Sequence, residues 1–469
     1  MSTHVHAFRD DALGATDAVG TAERIRTGEI SALEAVEAAI ARIEQVEPDL
    51  NAVVCADFER ARKSALDPQN GPLMGVPTIV KDNSDMAGLP TGHGTSAFVP
   101  RPADDDGDFV RQFLAQGMVS LGKSRLPEFG FNASTEFADS PPTRNPWNTA
   151  YSPGASSGGS AALVAAGALP IAHANDGGGS IRIPAAACGL IGLKPSRWRT
   201  RMEAFSAGAP VKIVSEGVVS RSVRDTAHFF AGAERTYASH RLPRIGLVEG
   251  PSNRRLRIGK LTESVTGHPT DDETRTAVDD AAALLAAQGH DVVDLPMPVD
   301  QRFADDFAQY WGLLGFAICA GGRHSLSRDF DATRTDNLTR GLAAAFRRNV
   351  WRSPGVVRRL RRSEHEYAQT FADYDVVLSP TLAHTTPKLG HLSPAQPFEQ
   401  LFDRLLRYVA FTPLNNASGG PAMSLPMSQT ANGLPIGVHF SAGNGDERTL
   451  LELAYEIEQV RGWARIQDA

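Results

Sequence analysis

The segment from Ser152 to Ser196 constrains the fold of this chain more than any other stretch does. Its sequence is SPGASSGGSAALVAAGALPIAHANDGGGSIRIPAAACGLIGLKPS, and no Asp, Glu, Lys or Arg lies between Arg144 and Asp176. Clusters of glycine and serine favour turns, whereas the alanine-rich run and the short apolar run between them favour a helix and a strand. The pattern therefore predicts two Ser/Gly turns that are separated by a small-residue helix and a strand.

Helical and strand-like patterns alternate in the rest of the chain. VPTIV at 76–80 is a short apolar run that predicts a buried strand with Lys81 at its end. PRIGLVEG at 243–250 and HDVVDLP at 290–296 predict two further strands, and the helical pattern DETRTAVDDAAALLAAQG lies between them. This β-α-β order indicates a parallel sheet. Since no internal repeat or low-complexity linker occurs, the sequence predicts a single large α/β domain over residues 1–469.

The composition is that of an ordinary soluble protein, with 42% hydrophobic residues, 22% charged residues and a net charge of −7. A negative net charge gives no reason to expect a nucleic-acid partner. Cys55, Cys188 and Cys319 are few, odd in number and far apart, which argues against a disulfide framework and favours the cytoplasm. The N-terminus has no signal-peptide pattern and the chain has no run of 18 apolar residues, so membrane insertion is not expected.

GMVSLGKS, from Gly117 to Ser124, matches the phosphate-loop pattern G-x-x-x-x-G-K-[ST] and raises the alternative of a nucleotide-binding protein. A working phosphate loop has a strand before the glycines and a helix directly after the lysine. Here the helical pattern DFVRQFLAQG precedes the motif, the apolar run MVSLGK lies inside it, and Pro127 disfavours a helix that starts at Lys123. The local order favours a core strand, and nucleotide binding stays as a weaker alternative.

Asp176, three glycines and Ser180 form the most suggestive turn of the chain. A run of free backbone amides of this kind can bind a developing oxyanion, and a serine directly after it can attack the same carbonyl carbon. A serine hydroxyl is a poor nucleophile until a base removes its proton. The turn therefore predicts nucleophilic chemistry on a carbonyl group, provided that a base lies nearby.

Other catalytic arrangements fit the sequence less well. GASSG at 154–158 matches the G-x-S-x-G elbow with Ser156 as nucleophile, but the proline-rich SPPTRNPWNTAYSP before it lacks the strand that the elbow requires. His384 is one of 13 histidines, and no local pattern selects it as the partner of a serine. No H-E-x-x-H or paired-cysteine spacing indicates a metal site.

The Ser152–Ser196 segment resembles the signature of the amidase signature family, hydrolases that use a Ser-Ser-Lys triad without histidine. Further blocks resemble the family in the same order along most of the chain: GVPTIVKDN, MVSLGKSRLPEFG, TRNPW, GVVSRSVRDTA and TPLNNASGGPAMSLPMSQTANGLPIGVHF. The resemblance implies one domain with a central twisted mixed sheet and helices on both faces. It also implies an N-terminal helical segment at about 1–65, a signature core at about 70–235 and a variable substrate-pocket segment at about 300–370.

The resemblance assigns the catalytic roles to three residues. It implies that Ser180 is the nucleophile, that Lys81 is the base, and that Ser156, within a cis peptide, carries the proton between them. The predicted position of Lys81 at the end of an apolar strand agrees with this role. Desolvation there would favour the neutral amine, which accepts a proton.

The resemblance also implies the groups around the triad. The implied oxyanion hole consists of the backbone amides of Gly177, Gly178, Gly179 and Ser180. Asp176 and Arg182 are candidates to brace that turn as an ion pair, and Cys319 is a candidate for the substrate pocket. The implied substrate is a small amide, without a cofactor, and the implied assembly is a monomer or a homodimer.

The sequence departs from the commonest family pattern at several positions, including Asn175 and Gly177, where two threonines are usual. Its form of the signature resembles most the subgroup that acts on aryl amides, hydrazides and aminohexanoate oligomers. The A subunit of the tRNA-dependent amidotransferase belongs to the same family and stays as an alternative. SIRIPAAACG and WRTRMEAFSAG depart from the pattern of that subunit.

Overall fold

Two β-sheets organise the protein, and a computed structural model describes residues 4–468, with the backbone alone described at 204 and 205. The strands are β1 (Val53–Ala56), β2 (Pro77–Lys81), β3 (Val119–Ser124), β4 (Ile171–Asp176), β5 (Ile191–Lys194), β6 (Ser215–Ser220), β7 (Arg257–Lys260), β8 (Asp291–Asp294), β9 (Val376–Pro380), β10 (Ala422–Gln429) and β11 (Pro435–Ala442). The larger sheet has the order β4-β6-β5-β10-β11-β9-β7-β8, and the smaller one has the order β1-β3-β2. Neighbours from β4 to β9 are antiparallel, whereas β9, β7 and β8 are parallel, so the larger sheet is mixed, as expected.

Helices cover both faces of the larger sheet. They are α1 (Ala18–Arg26), α2 (Ala32–Leu50), α3 (Phe58–Leu66), α4 (Asp108–Leu114), α5 (Gly158–Ala165), α6 (Arg182–Cys188), α7 (Ala204–Ala207), α8 (Val223–Thr236), α9 (Asp272–Ala287), α10 (Arg302–Ser325), α11 (Asn337–Arg348), α12 (Ser353–Asp373), α13 (Phe398–Tyr408), α14 (Pro413–Ser418) and α15 (Glu447–Val460). In β4, Ile171 packs into one hydrophobic core with α8, α9 and α15, whereas Ala172 and Ala174 pack into a second core with α2, α5 and α6. Successive residues of a strand point to opposite faces, so the two cores lie on opposite sides of the sheet.

Within residues 4–468, no helix has the combined length and apolar character that crossing a membrane requires.

The small sheet meets the large one where β2 runs beside β4. The Thr78 hydroxyl donates to the carbonyl oxygen of Ile171 over 2.9 Å, and the backbone amide of Lys81 donates to Nδ1 of His173 over 3.1 Å. The end of β2, which carries Lys81 as predicted, therefore lies beside the end of β4, which carries Asp176.

The GMVSLGKS segment is a core strand. Gly117, at φ +92°, leads from the end of α4 into β3, and β3 contains Lys123. Nζ of Lys123 is buried, lies 3.1 Å from Oδ1 of Asp82 and donates to the Thr91 hydroxyl over 3.0 Å. A lysine that is paired with a buried carboxylate inside a strand is not free to hold a phosphate. The phosphate-loop interpretation is therefore wrong.

The prediction of a strand at 243–250 is wrong, because the first strand of the β-α-β unit is β7 at Arg257–Lys260. In the 243–250 segment the amides of Ile245 and Gly246 donate to the carboxylate of Glu234 over 2.9 and 3.0 Å. A side chain thus takes the hydrogen bonds that a neighbouring strand would otherwise accept. β7 and β8 are parallel with α9 between them, so the predicted parallel order is confirmed.

Close packing against β1 explains why residue 122, the second glycine of the phosphate-loop pattern, is a glycine. A Cβ atom at this position would lie 2.0 Å from the carbonyl oxygen of Cys55 in β1, and the φ of Gly122 is +138°. We expect Gly122→Ala to lower the free energy of unfolding by about 1–3 kcal/mol, because β1 must move to make room. Urea denaturation measures this change.

Gly321→Ala in α10 is the matched control, since a Cβ atom there meets nothing within 4 Å. Its stability should equal or exceed that of the wild type. A Gly122→Ala variant as stable as Gly321→Ala would contradict the packing argument.

Candidate active site

Lys81 lies at the C-terminal end of β2 with its side chain fully buried. Its Nζ atom lies 2.7 Å from Oγ of Ser156, 2.7 Å from Oδ1 of Asn175 and 3.0 Å from Oγ of Ser157. The two serines belong to the turn before α5, and Asn175 stands near the end of β4. Three segments that are distant in the sequence therefore meet at one amine.

The surroundings of Lys81 favour its neutral form. Burial lowers the pKa of Lys81 to about 7, and the carboxylates of Glu216 and Asp176 oppose this shift only in part. Desolvation has this effect because it penalises the charged form of an amine. Above pH 7 the amine is therefore largely neutral and able to accept a proton.

The neighbours of Lys81 decide where the lone pair of the neutral amine points. Oδ1 of Asn175 is an acceptor only, and the Ser157 hydroxyl donates its own proton to the carbonyl oxygen of Asn175 over 3.3 Å. These two oxygens can therefore accept both N–H groups of the amine. The remaining neighbour is Oγ of Ser156 at 2.7 Å. Ser156 is thus placed to donate its proton to the lone pair of Lys81.

Ser156 and Ser180 line the same cavity, which has a volume of about 170 Å³. Ser156 follows a cis peptide bond from Ala155, as the resemblance implied. Ser180 is half-buried in the turn between β4 and α6. Ser180 therefore lines the same cavity as Ser156, whose hydroxyl is in contact with Lys81.

Asp176 and Arg182 form the predicted ion pair and brace the turn that carries Ser180. Arg182 donates from Nη2 to Oδ1 of Asp176 over 2.8 Å and from Nε to Oδ2 over 2.9 Å, and both side chains are fully buried. Asn416 in α14 completes the brace, since it donates to Oδ1 of Asp176 over 2.8 Å and accepts from Nη2 of Arg182 over 2.7 Å. Burial alone would raise the pKa of Asp176, but the guanidinium of Arg182 and the Asn416 hydrogen bond hold this pKa well below its usual range.

The glycine turn presents fewer free amides than the sequence predicts. The amide of Gly179 donates to Oδ1 of Asp176 over 2.7 Å, so it is already engaged. The amides of Gly177, Gly178 and Ser180 have no hydrogen bond to another residue in the described part of the chain, and all three residues line the cavity. Gly179 is therefore removed from the predicted oxyanion hole, because the brace uses its amide.

One wall of the cavity is apolar and comes from α10. The helix contributes Phe307, Trp311, Leu314 and Ile318, which recur at helical spacing along one face. Cys319 is not among the described residues that line the cavity. Its neighbour in the same helix, Ile318, lines the cavity instead.

Several residues of the site were not predicted from the sequence. Ser157 directly follows Ser156, Asn175 was noted only as a departure from the family pattern, and Asn416 lies in the quoted block TPLNNASGG. Glu216 also lines the cavity. The helical spacing of apolar residues in α10 was a readable signal, but the sequence does not say which face of that helix meets the serines.

Comparisons with known proteins identify the family of this chain. The family model described as Amidase matches residues 34–451. The protein named "Putative amidase AmiC" of Mycobacterium leprae is 50% identical to this chain and covers 99% of both chains.

Two solved structures share the fold over nearly the whole chain. The structure of 6-aminohexanoate cyclic dimer hydrolase has a TM-score of 0.89 and 32% identity, covering 98% of this chain and 99% of that chain. A bacterial aryl acylamidase of the amidase signature family has a TM-score of 0.86 and 27% identity, covering 97% and 98%. The chain therefore belongs to the amidase family and is an enzyme that hydrolyses amide carbon–nitrogen bonds.

Proposed function

We propose that this amidase works through an acyl-enzyme on Ser180, with Lys81 as the base and Ser156 as the proton bridge. The observation that carries the proposal is the 2.7 Å hydrogen bond between Nζ of Lys81 and Oγ of Ser156, beside the cavity that Ser156 shares with Ser180. A buried neutral amine is a base, and a serine needs a base to become a nucleophile.

The proposed reaction begins with attack of Oγ of Ser180 on the amide carbonyl carbon. The Ser180 proton moves to Ser156, and the proton of Ser156 moves to the lone pair of Lys81. The carbonyl oxygen becomes an oxyanion, which the amides of Gly177, Gly178 and Ser180 stabilise by about a few kcal/mol per donor.

Breakdown of this intermediate releases the amine and leaves an ester on Ser180. The proton held by Lys81 returns through Ser156 to the departing nitrogen as the carbon–nitrogen bond breaks. Water then attacks the ester and gives its proton to Lys81 by the same route. As the ester bond breaks and the carboxylic acid leaves, this proton returns through Ser156 to Oγ of Ser180. Lys81 ends the cycle as a neutral amine.

We propose that the favoured substrates carry an apolar acyl or aryl group of modest size. The apolar face of α10 and the nearby Phe129 and Phe131 line the cavity, and its volume is about 170 Å³. Burial of an apolar group against these side chains would supply binding energy of roughly 25 cal/mol per Å². Anilides, hydrazides and aminohexanoate amides all belong in the substrate panel, and the names of the two similar structures support the first and the last of these.

The A subunit of a tRNA-dependent amidotransferase was the second function that the sequence left open. No observation on the described residues favours it over a free-standing amidase. Release of ammonia from glutamine that required partner subunits would favour it.

Removal of the nucleophile should abolish amide hydrolysis. We expect Ser180→Ala to lower kcat by roughly 10³-fold or more and Lys81→Met to lower it by about 10²–10⁴-fold. Steady-state kinetics on an anilide measure both. Ser239→Ala is the control, because Ser239 is a buried serine outside the cavity. Undiminished turnover by Ser180→Ala would overturn the proposal.

The pH dependence of the wild type should report the charge of Lys81. Because burial lowers the pKa of Lys81 to about 7, we expect kcat/KM to rise with pH through about 7 and then level off. The direction follows from the base, since only the neutral amine accepts a proton and the ammonium form predominates at lower pH. A profile that is flat from pH 5.5 to pH 8.5 on a pH-stable substrate would argue against Lys81 as the base.

The apolar wall should set the size of the accepted acyl group. We expect Ile318→Trp to lower kcat/KM for a bulky aryl amide by about tenfold or more relative to a small aliphatic amide, because the larger ring fills the cavity. Ala320→Trp on the exposed side of the same helix is the matched control and should leave this ratio unchanged. If the ratio of kcat/KM for the two amides is equal in both variants, α10 does not form part of the substrate pocket.

A further inference from the structure

A buried histidine and a buried glutamate lie directly behind the proposed base. His173 in β4 accepts a hydrogen bond from the backbone amide of Lys81 at its Nδ1 atom over 3.1 Å. Since Nδ1 is an acceptor, the proton of the neutral ring is on Nε2, which lies 3.0 Å from Oε2 of Glu216 in β6. His173 therefore donates to Glu216, and the two side chains link three strands, β2, β4 and β6.

Glu216 also faces Asn175. The two residues are direct cross-strand partners in the antiparallel pairing of β4 with β6, and their side chains interact. The other end of the Asn175 side chain, Oδ1, accepts from Nζ of Lys81 over 2.7 Å. Asn175 thus stands between a carboxylate and the amine of the proposed base.

We propose that Glu216 is a positioning residue for amide hydrolysis, which acts through Asn175 to direct the lone pair of Lys81 at Ser156. The inference rests on the proposed function of Lys81 as the base.

The physical reason is the asymmetry of an amide side chain. The NH₂ group of Asn175 donates to Oδ1 of Asn83 over 3.1 Å and also interacts with Glu216. Asn83 can turn its own amide to match either orientation of Asn175, whereas a carboxylate accepts hydrogen bonds and donates none. Glu216 therefore favours the orientation in which the NH₂ group of Asn175 lies toward the carboxylate and its oxygen lies toward Lys81. With the opposite orientation, an N–H group of Asn175 would bind the lone pair of Lys81. Ser156 would then lose the acceptor for its proton, although every residue of the triad would still be present.

Glu216 and Lys81 also interact through their charges. Lys81 faces the carboxylates of Glu216 and Asp176, together with the neutral ring of His173. At longer range, the charge of Lys123 acts on His173, and the charge of Glu216 acts on Glu203. Burial raises the pKa of Glu216 to about 7, so the carboxylate and the neutral amine both form as the pH rises through the same range. Because the Glu216 carboxylate favours the ammonium form of Lys81, its removal lowers the pKa of Lys81 further.

The experiment is a double-mutant cycle with Glu216→Gln and Asn175→Thr, measured as pH profiles of kcat and kcat/KM on one anilide. We expect Glu216→Gln alone to lower kcat by about tenfold or more, because its NH₂ group turns Asn175 around. The acidic limb of kcat/KM should move to lower pH. In the Asn175→Thr background the same change should lower kcat by less than about threefold, since a threonine hydroxyl rotates freely and needs no orienting carboxylate.

A matched control exists elsewhere in the fold. His290 accepts from the amide of Leu256 at Nδ1 over 3.0 Å, and its Nε2 lies 3.1 Å from Oε2 of Glu456, which repeats the arrangement of His173 and Glu216 away from the cavity. Glu456→Gln should change thermal stability without moving the pH profile.

If Glu216→Gln does not fold, as judged by its Tm, Asn175→Asp provides the test. A carboxylate in contact with Lys81 should move the acidic limb to higher pH, and an unmoved limb would overturn the proposal. For Glu216→Gln, a wild-type kcat and pH profile, or an equal loss in both backgrounds, would likewise overturn it. Failure of the proposed function is distinguishable, because in that case Ser180→Ala would itself stay active.

Discussion

The burial of one lysine amine is the constraint on which the rest of the site depends. An ammonium group without a partner in a water-excluded site would cost several kcal/mol, so Lys81 shifts toward its neutral form. A neutral amine then needs acceptors for its N–H groups and a donor for its lone pair. Asn175 and Ser157 supply the acceptors, and Ser156 supplies the donor. The hydrogen bonds of Nζ of Lys81 therefore hold together the end of β2, the turn before α5 and the end of β4.

The fold meets this constraint by bringing two strand ends together and bracing the turn beyond them. β2 carries Lys81 to the end of β4, where the chain turns through the glycines to Ser180. The ion pair between Asp176 and Arg182, closed by Asn416, holds that turn from behind. The brace engages the amide of Gly179 and leaves the amides on either side of it facing the cavity. Rigid support and free donors thus come from the same short loop.

The sequence alone predicted much of this arrangement, because local patterns determine strands, turns and the order of the signature blocks. It placed Lys81 at the end of a buried strand and Ser156 and Ser180 in turns, and each lies there in the structure. Side-chain contacts between paired strands could not be predicted in this way. The pairing of Asn175 with Glu216 follows from the antiparallel register of β4 and β6, which no local pattern specifies.

Other errors have equally physical origins. The 243–250 segment has the composition of a strand, but a glutamate side chain takes its amides. Cys319 was a candidate for the substrate pocket, but its neighbour Ile318 lines the cavity, because one residue along a helix turns a side chain by about 100°. In both cases tertiary contacts, which a local sequence pattern does not specify, determined the outcome.

The central claim is a covalent ester on Ser180, and trapping that ester tests it most directly. The enzyme would be mixed with a slowly hydrolysed aryl ester, quenched in acid and digested, and the acylated peptide would be sequenced by mass spectrometry. We predict one acyl group per chain, attached to Ser180, and none in Lys81→Met under the same conditions. An acyl group on another residue, or full turnover with no ester on Ser180, would contradict the account.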